Sequence, residues 1–597
     1  MRLPHWILIC IALTILLPDR SLGQNTTHER LVSLARDFTY QSAELYPLQA
    51  TALGIAGHDA DLESPSEAYR AAYIDRIRQW QRRLGEISAG FDAATSLVDR
   101  DDAKLLGALL QAQLNAFVIY QADRKDYSAP ANNLVQALFT QFQHLPIVSR
   151  DDATPAAQRK AWSDIITRLS KTPAYLAAAQ RLVTTPGHLY GTVGSKELGG
   201  VPEFLNGALT GAAKQQLGTK GVAFARFAKA RDAALAAIAA TKSYIDAHVE
   251  AWPDNHSIGR EAYEAMLRDE QLLDFNASDI ERMGHDELAH GWAEETWLTA
   301  VSRHTSTPLG APSGGGMAPS GPALIDYYRD RIAELRQFIA DNDVVTVPAW
   351  LGRMEVTETP SFLQPVSPGA SMNPPLLFSP TTTGFYYITP PKSLVEAAAR
   401  LDMNEDFDRD RILSTAAHEA IPGHFMQLSI AKRHPDFIRK IQFTSVFAEG
   451  WAFYGEEMFV RLGLYGDHLD GRLQTARWER VRGARAIIDA KLATGEWTYP
   501  QAVDFFAAQT AFTHEAAEAA VAMLALNPGY GFTYTVGRLQ IENLLADYML
   551  RMGEKASLRD FHDRLLSYGT TPLAIVAQEL LADLDKPASE VRAAANY

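Results

Sequence analysis

The sequence contains one cysteine, Cys10, which lies in an apolar stretch close to the N-terminus. A single cysteine forms no internal disulfide, and the rest of the chain offers neither a thiolate nucleophile nor a thiolate metal ligand. At 597 residues the chain is long enough to bury a large hydrophobic core without such cross-links. Cysteine chemistry is therefore excluded as a basis for function.

The chain also has a deficit of positive charge and lacks a serine-hydrolase signature. Its 56 lysines and arginines face 71 aspartates and glutamates, which gives a formal net charge of −15 at pH 7. A nucleic-acid partner requires a basic face, so this balance argues against one. No Gly-x-Ser-x-Gly elbow occurs, so nothing local supports a serine hydrolase of that type.

Long apolar runs are equally scarce. Residues 6–17 carry no charge, follow a short basic segment and precede small residues up to Gly23. This order is typical of a secretory signal peptide and predicts residues 1–23 as a leader cleaved near Gly23. The run is shorter than the ~20 apolar residues that cross a bilayer, and Cys10 lacks the small preceding residue of a lipidated cysteine. We therefore expect a periplasmic or secreted mature protein without a membrane span.

One segment concentrates the residue types of a metal site, His418-Glu419-Ala420-Ile421-Pro422-Gly423-His424, and Glu449 follows 25 residues after its second histidine. Two histidines and a later glutamate are the protein ligands of many catalytic zinc sites. A glutamate directly after the first histidine is where metalloproteases keep their general base. The sequence therefore predicts one Zn²⁺ bound by His418, His424 and Glu449, with Glu419 as the general base.

The spacing of the two histidines does not fit a regular helix. Residues four apart share a helix face, but His424 follows His418 by six residues and so lies roughly 240° around the helix. Pro422 interrupts helical hydrogen bonding, and Gly423 accepts unusual dihedral angles. We therefore expect a local bulge at these two residues that returns His424 to the metal. The alternative is a proline-kinked core helix with two unrelated histidines.

Most of the remaining sequence has the three- and four-residue apolar spacing of amphipathic helices. Helices are predicted over 28–57, 67–89, 98–125, 155–183, 206–217, 220–250, 259–272, 277–302, 323–342, most of 393–527, 535–552, 558–568 and 572–581. The glycine-rich residues 305–322 predict a flexible loop. Within 343–392, β-branched and aromatic runs at 344–347 and 384–389 alternate with prolines, which predicts short strands.

The fold class that follows is mainly α and multi-helical, with two lobes around a cleft and a small β-sheet beside the metal-binding helix. Residues 24–250 are predicted to form an N-terminal helical lobe. Residues 251–597 are predicted to form the catalytic helical region, which contains the small sheet within 343–392 and the metal site.

The motifs resemble those of the family catalogued as domain of unknown function 885. The resemblance rests on His418-Glu419-x-x-Pro422-Gly423-His424-x-x-Gln427, Glu449-Gly450-Trp451-Ala452-x-Tyr454-x-Glu456 and Pro528-Gly529-Tyr530-x-x-x-Tyr534-x-x-Gly537. A weaker match at Ile258-Gly259-x-x-x-Tyr263 extends it over most of residues 30–590. The family is mainly bacterial, often exported, largely helical and peptidase-like, so the resemblance implies these properties here.

The layout is also similar, at greater distance, to thimet-oligopeptidase-like and carboxypeptidase-Taq-like zinc peptidases. The chain departs from the family pattern at three positions. Ala493 stands where a histidine is usual, and Ala520 and Met523 stand where a glutamate and an arginine are usual. If those side chains handle substrate, the specificity of this protein is changed.

The flanking motifs supply the remaining candidate site residues. Glu456 lies seven residues after Glu449, hence on the same helix face, and fits a hydrogen-bonding partner for a ligand histidine. Tyr534, with Tyr530 as second choice, is the candidate donor to the oxyanion of a tetrahedral intermediate, because a phenol is a neutral donor and the block resembles the tyrosine segment of related peptidases. The alternative is a packed Gly/Tyr turn without a catalytic role.

The predicted function is hydrolysis of a peptide or small amide substrate by zinc-activated water, with Glu419 as the proton acceptor. Two alternatives stay open. One is a zinc hydrolase that acts on non-peptide amides or esters. The other is a non-catalytic exported binding protein that has lost turnover.

Overall fold

The computed structural model describes residues 26–146, 154–304, 322–360, 363, 370–389 and 409–586. Helices dominate these residues. The N-terminal half contains α1 to α12, with bounds Thr27–Leu45, Pro47–Leu53, Glu67–Ser88, Leu97–Asn115, Ala122–Lys125, Ala129–Gln143, Pro155–Ala179, His188–Asn206, Ala208–Leu217, Val222–His248, Arg260–Asp269 and Ala277–Ser302.

The C-terminal half contains the remaining helices and a small sheet. Helices α13 to α23 cover Pro322–Asp341, Arg409–Glu419, His424–Lys432, Phe437–Ile441, Ser445–Leu462, Leu469–Thr494, Tyr499–Gln509, His514–Leu526, Thr533–Met552, Leu558–Ser567 and Leu573–Ala582. Strands β1 to β3 cover Met354–Glu358, Ala370–Asn373 and Gly384–Ile388. The predicted mainly α, multi-helical fold with a small sheet is confirmed, while two lobes around a cleft stay a prediction.

The strands form one sheet in the order β1-β3-β2, in which β1 is parallel and β2 antiparallel to β3. Successive residues of a strand face opposite sides. Tyr386 and Ile388 belong to a buried cluster with Ile412 of α14, whereas Tyr387 belongs to a core of the N-terminal helices. The sheet therefore lies between those helices and α14, the helix that ends at Glu419.

The strand predicted at 344–347 is wrong. Residues 344–347 form no strand and pair with none of the three strands in the described part of the chain. The amide of Thr346 donates to Asp563 Oδ1 at 2.8 Å, and the carbonyl of Val344 accepts from His562 Nδ1 at 2.8 Å. Because side chains of α22 satisfy these backbone groups, the segment needs no neighbouring strand. The strand predicted at 384–389 forms as β3.

Two helices, α6 and α8, are absent from the sequence prediction. Four glycines and Pro202 give α8 a low intrinsic helix propensity. A Cβ at Gly191 would overlap with Trp252, and one at Gly194 would overlap with the side chain of Ser128. Close packing at these glycines outweighs the weak local preference, and packing against distant residues is not visible in a sequence pattern.

Other predicted helices form with interruptions. The helix predicted at 28–57 is divided before Pro47 into α1 and α2, and the one at 98–125 contains a π-helical turn at Ala116–Tyr120. The predicted signal peptide, the loop at 305–322 up to residue 321, and the first part of the helix from 393, up to residue 408, lie outside the described residues.

Three buried clusters form most of the core. The largest runs from Tyr263 to Leu580 and surrounds the helices that carry the candidate site. A second joins residues 48–245 with Tyr387, and a third joins residues 31–110 with residues 437, 438 and 575. The N-terminal helices thus share both of their cores with later parts of the chain. The boundary near residue 250 stays a prediction.

Among the described residues, Leu97–Lys125 is the one helical stretch whose length and composition would suit a membrane span. Its most apolar window is 28% buried. Leu105, Leu106 and Leu110 from this stretch pack in a core with α1 and α3. The absence of a membrane span in the mature chain stays a prediction.

Candidate metal centre

The two candidate histidines lie on separate helices. Helix α14 ends at Glu419 and α15 begins at His424, so residues 420–423 form a complete break where a bulge within one helix was predicted. A Cβ at Gly423 would overlap with the carbonyl oxygen of His418. Glycine is therefore required by this close approach. The break turns the start of α15 back towards the end of α14 and brings His424 beside His418.

Trp451 connects this break to the next motif. It lies on α17, is fully buried, and donates its indole N–H to the carbonyl of Pro422 at 2.8 Å. Glu449 lies two residues earlier on the same helix. The sequence analysis gave Trp451 no role, although its position within the second motif was a usable signal. Its hydrogen bond fixes the turn between the histidines relative to the helix that carries the glutamate.

His418, His424 and Glu449 converge on one point. Oε2 of Glu449 lies 3.4 Å from Nε2 of His418 and 3.3 Å from Nε2 of His424. The two imidazole rings are nearly perpendicular, at 87°, with centroids 4.7 Å apart. In a tetrahedral zinc site with bonds of 2.0–2.1 Å, neighbouring ligand atoms are separated by about 3.3–3.4 Å. The separations between these atoms match that value.

The electrostatics of Glu449 also fit a cation. Burial raises the pKa of its carboxyl, but the opposite effect of His424 and His418 is larger. The pKa of Glu449 therefore lies well below the usual range. Its buried Oε2 has no hydrogen-bond partner among the described residues. A buried, ionised oxygen that faces two imidazole nitrogens is the donor set that zinc prefers. The residues present therefore fit one zinc ion.

Glu456 and Arg482 support His418 from the other side of its ring. Nδ1 of His418 lies 2.6 Å from Glu456 Oε1, and Arg482 binds both oxygens of Glu456 at 2.7 and 3.2 Å. Burial raises the pKa of Glu456, but Arg482 and His418 lower it more. The ionised carboxylate accepts a hydrogen bond from Nδ1–H, and in this tautomer Nε2 of His418 is free to bind a metal. Arg482, on α18, was missed by the sequence analysis.

Glu419 is the last residue of α14 and is directly adjacent to His418. Burial raises the pKa of its carboxyl, and the neighbouring His418 and His424 side chains oppose that shift. A carboxylate with a raised pKa is a better proton acceptor at neutral pH than an exposed one. Its role as the general base stays a prediction.

The Gly/Tyr block returns to the same point. The hydroxyl of Tyr530 donates to Glu449 Oε1 at 2.8 Å and lies 2.8 Å from the hydroxyl of Tyr534. The Tyr534 ring is almost parallel to that of His418, with centroids 6.3 Å apart. Burial raises the pKa of both phenols, so both stay protonated at neutral pH. Tyr530 makes the direct contact with a candidate ligand; the choice of Tyr534 as the oxyanion donor stays a prediction.

Asp489 holds the loop that positions these tyrosines. Its carboxylate accepts from the hydroxyl of Tyr263 at 2.8 Å and from the amide of Gly529 at 2.9 Å. Burial raises the pKa of Asp489 to about 7. The sequence analysis singled out Tyr263 as part of a weak family motif but did not connect it with Asp489. Their hydrogen bond links the weak upstream motif to the Gly/Tyr block.

The three departures from the family pattern lie outside the ligand set. The carbonyl of Ala493 accepts from the amides of residues 258 and 259 at 3.0 and 2.9 Å, and its methyl group is buried. Ala520 and Met523 are partly buried in a cluster that also contains Tyr530. They adjoin the candidate site through that tyrosine, while the effect of the three residues on specificity stays a prediction.

Taken together, these elements define a helical protein with a buried His-His-Glu centre, a neighbouring carboxylate and two phenols. The chain belongs to the family described as bacterial protein of unknown function, DUF885, whose sequence profile matches residues 47–580. The suspected family is thereby confirmed, and the similarity to peptidases stays a prediction. No curated protein matches the chain.

Two solved structures have the same fold. The "putative lipoprotein of unknown function" from Shewanella oneidensis superposes with a TM-score of 0.69 at 20% identity, covering 92% of this chain and 99% of that one. The "putative lipoprotein" from Colwellia psychrerythraea gives a TM-score of 0.76 at 18% identity, covering 94% and 100%. At this level of identity the likeness establishes the fold alone.

Proposed function

We propose that this protein is an exported, zinc-dependent hydrolase, and specifically a metallopeptidase. The observation that carries the proposal is the convergence of His418, His424 and Glu449, at separations that suit zinc, directly beside Glu419. Zinc bound there would supply Lewis acidity, which lowers the pKa of water and polarises a substrate carbonyl.

The proton transfers fall to Glu419. It takes a proton from the attacking water and delivers it to the nitrogen that leaves. Burial raises the pKa of its carboxyl, which makes Glu419 a stronger base for the first of these transfers. Cleavage of an amide depends on protonation of the leaving nitrogen, whereas an ester releases a less basic oxygen. A carboxyl suited to both transfers therefore favours a peptide or small amide over an ester.

In this proposal the two tyrosines provide the donor to the developing oxyanion. Tyr530 is held by Glu449, and Tyr534 is held by Tyr530, so both hydroxyls are oriented before substrate binds. Both phenols keep their protons, and a neutral donor can bind the oxyanion without neutralising it. Each phenol has a single O–H, so the tyrosine that donates to the oxyanion turns its proton from its present partner to the substrate while its ring stays in place.

Export is supported by the predicted leader at residues 1–23 and by the description of both structural neighbours as lipoproteins. Cys10 lacks the small residue that precedes a lipidated cysteine. The proposal is therefore release into the periplasm or the medium, without a lipid anchor.

The test combines metal analysis with peptide cleavage. The purified protein should contain one zinc per chain and should cleave members of a mixed peptide library, and a chelator should abolish cleavage. Glu419→Gln should retain zinc, because Glu419 is not among the ligands, and should lose about 10²–10⁴-fold in turnover. Glu515→Gln is the matched control. Glu515 also directly follows a histidine, His514, but it lies at an exposed helix end.

The outcomes separate the candidate functions. Turnover of esters but not of peptides would identify the non-peptide hydrolase. Zinc binding without turnover of any substrate would identify the binding protein. Equal loss of zinc in Glu419→Gln and His418→Ala would mean that the base and a ligand have been confused.

A further inference from the structure

Helix α18 carries three charged residues, Arg482, Arg485 and Asp489, at three- and four-residue spacing along the side that contacts the candidate site. Arg482 is bound by Glu456, and Asp489 is bound by Tyr263 and the Gly/Tyr block. Arg485 lies between them and has no hydrogen bond or ion pair with any described residue. Within the part of the chain that the structure describes, it is the one member of this row without a hydrogen-bond or ion-pair partner.

Arg485 lies one aromatic ring away from the centre. Its guanidinium carbon is 5.6 Å from the ring centroid of Tyr534, and that ring is 6.3 Å from the ring of His418. The side chain is partly buried, and its Nε is fully buried without a hydrogen-bond partner. The guanidinium therefore contributes a positive charge at the edge of the proposed catalytic site.

An unpaired, partly buried guanidinium destabilises the folded protein, because buried charges and donors need partners. The Tyr534 ring offsets this cost only in part. The distance of 5.6 Å is near the outer limit of about 6 Å for a cation–π contact. The ring also accepts no hydrogen bonds from the N–H groups of the guanidinium fork. That fork matches a carboxylate, which it can bind through two parallel hydrogen bonds.

We propose that Arg485 binds a carboxylate of the substrate, so that the preferred substrates are peptides with a negative charge close to the cleaved bond. This inference rests on the proposed function. The carboxylate could belong to the C-terminus of the peptide or to an Asp or Glu side chain, and both sources offer the same group to the guanidinium. Binding by Arg485 would position the scissile carbonyl beside Glu419 and the tyrosines.

The experiment measures binding to the zinc-loaded Glu419→Gln variant, in which turnover is suppressed. Three probes are compared by calorimetry: N-acetyl-trialanine, its C-terminal amide, and the amide with one alanine replaced by glutamate. A charge-assisted pair predicts that one or both acidic probes bind about tenfold to a hundredfold more tightly than the uncharged amide. The probe that gains affinity identifies the source of the carboxylate.

Adding Arg485→Met should reduce this acid-to-amide ratio to about one, and Arg485→Lys should retain part of it, because lysine keeps the charge but loses the fork. Arg472→Met, an exposed arginine on the same helix, is the matched control and should leave the ratio unchanged. If Arg485 only supports Tyr534, its replacement will weaken all probes equally. An unchanged ratio, or no acid preference in the parent protein, would overturn the assignment.

Failure of this inference is distinguishable from failure of the proposed function. Peptide cleavage by the wild-type protein without any acid preference would leave the metallopeptidase intact and remove the role of Arg485. If a protein without turnover binds the acidic probes more tightly and this preference depends on Arg485, the role of Arg485 is kept and the metallopeptidase proposal is refuted.

Discussion

Replacement of Glu456 tests whether the hydrogen bond behind His418 acts on the metal or only on folding. Glu456 and Arg482 are 2% and 5% exposed, and Glu456 also bonds Nδ1 of His418 at 2.6 Å. Glu456→Gln keeps the shape of the side chain but removes the charge that both neighbours use. It should affect the apo protein and the zinc-bound protein by different amounts.

The two magnitudes follow from the two contacts. Removing one partner of a buried ion pair costs about 3–5 kcal/mol of unfolding free energy, because Arg482 loses its counter-charge. Loss of a carboxylate behind a ligand histidine typically weakens metal binding about 10–100-fold, which corresponds to about 1.4–2.8 kcal/mol. The zinc-bound Glu456→Gln protein should therefore be destabilised by both amounts, and the apo protein by the first alone.

Denaturant unfolding in chelator and in excess zinc measures both quantities, and competition with a chelating indicator measures zinc affinity directly. Arg482→Met is the control, because it breaks the same ion pair but leaves the contact between Glu456 and His418. It should destabilise the apo protein with a smaller loss of zinc affinity. Equal destabilisation of the apo and zinc-bound Glu456→Gln protein would refute the argument that Glu456 orients His418.

Three further predictions concern the turn, the tyrosines and a buried histidine. Gly423→Ala should lose zinc and about 1–3 kcal/mol of unfolding free energy, because the new methyl group overlaps with the carbonyl of His418. Zinc analysis and a denaturant titration measure both effects, and a normal zinc content would contradict the prediction. Tyr534→Phe should lower kcat by the equivalent of about 2.7–4 kcal/mol with zinc retained; if kinetics show that effect only in Tyr530→Phe, the assignment passes to Tyr530. His562 is fully buried, and burial lowers its pKa from 6.5 to about 4. Between these values the unfolded chain binds the proton more readily, so unfolding free energy should fall by up to about 3 kcal/mol as pH drops from 6.5 to 4. His562→Gln should remove that part of the slope in unfolding experiments across this pH range, and an unaltered slope would show that His562 is not its source.

The three residues that converge in the candidate metal centre could be predicted because they lie in two adjoining sequence motifs. Two histidines and a glutamate in adjoining motifs are typical of a zinc ligand set, and Glu456 follows from helical spacing alone. The path between the histidines could not be predicted in detail. Proline and glycine indicated a distortion, but whether the helix bulges or ends depends on contacts such as that of Gly423 with His418 and that of Trp451 with Pro422.

Residues whose partners are distant in sequence were missed for the same physical reason. Arg482 and Arg485 lie in a helix that is buried on most sides, where periodicity does not identify the face that meets the site. The segment at 344–347 has the composition of a strand, but its partners lie 217 and 218 residues later, on α22. Local preference is decisive only where packing does not supply a stronger alternative.

The glycines of the second and third motifs explain how separate segments form one centre. Gly450 follows Glu449 on α17, and Gly537 lies near the start of α21. A Cβ on either would overlap with the backbone of the other helix, so the two helices approach too closely at this crossing for any residue larger than glycine. Each glycine weakens its helix by about 1 kcal/mol relative to alanine, and this loss is offset by the contact. The close crossing allows the Tyr530 hydroxyl, at the end of a short loop, to reach the Glu449 carboxylate at 2.8 Å. Gly450 and Gly537 therefore affect the site indirectly. They set the distance between the two helices, and that distance determines whether Tyr530 can reach Glu449.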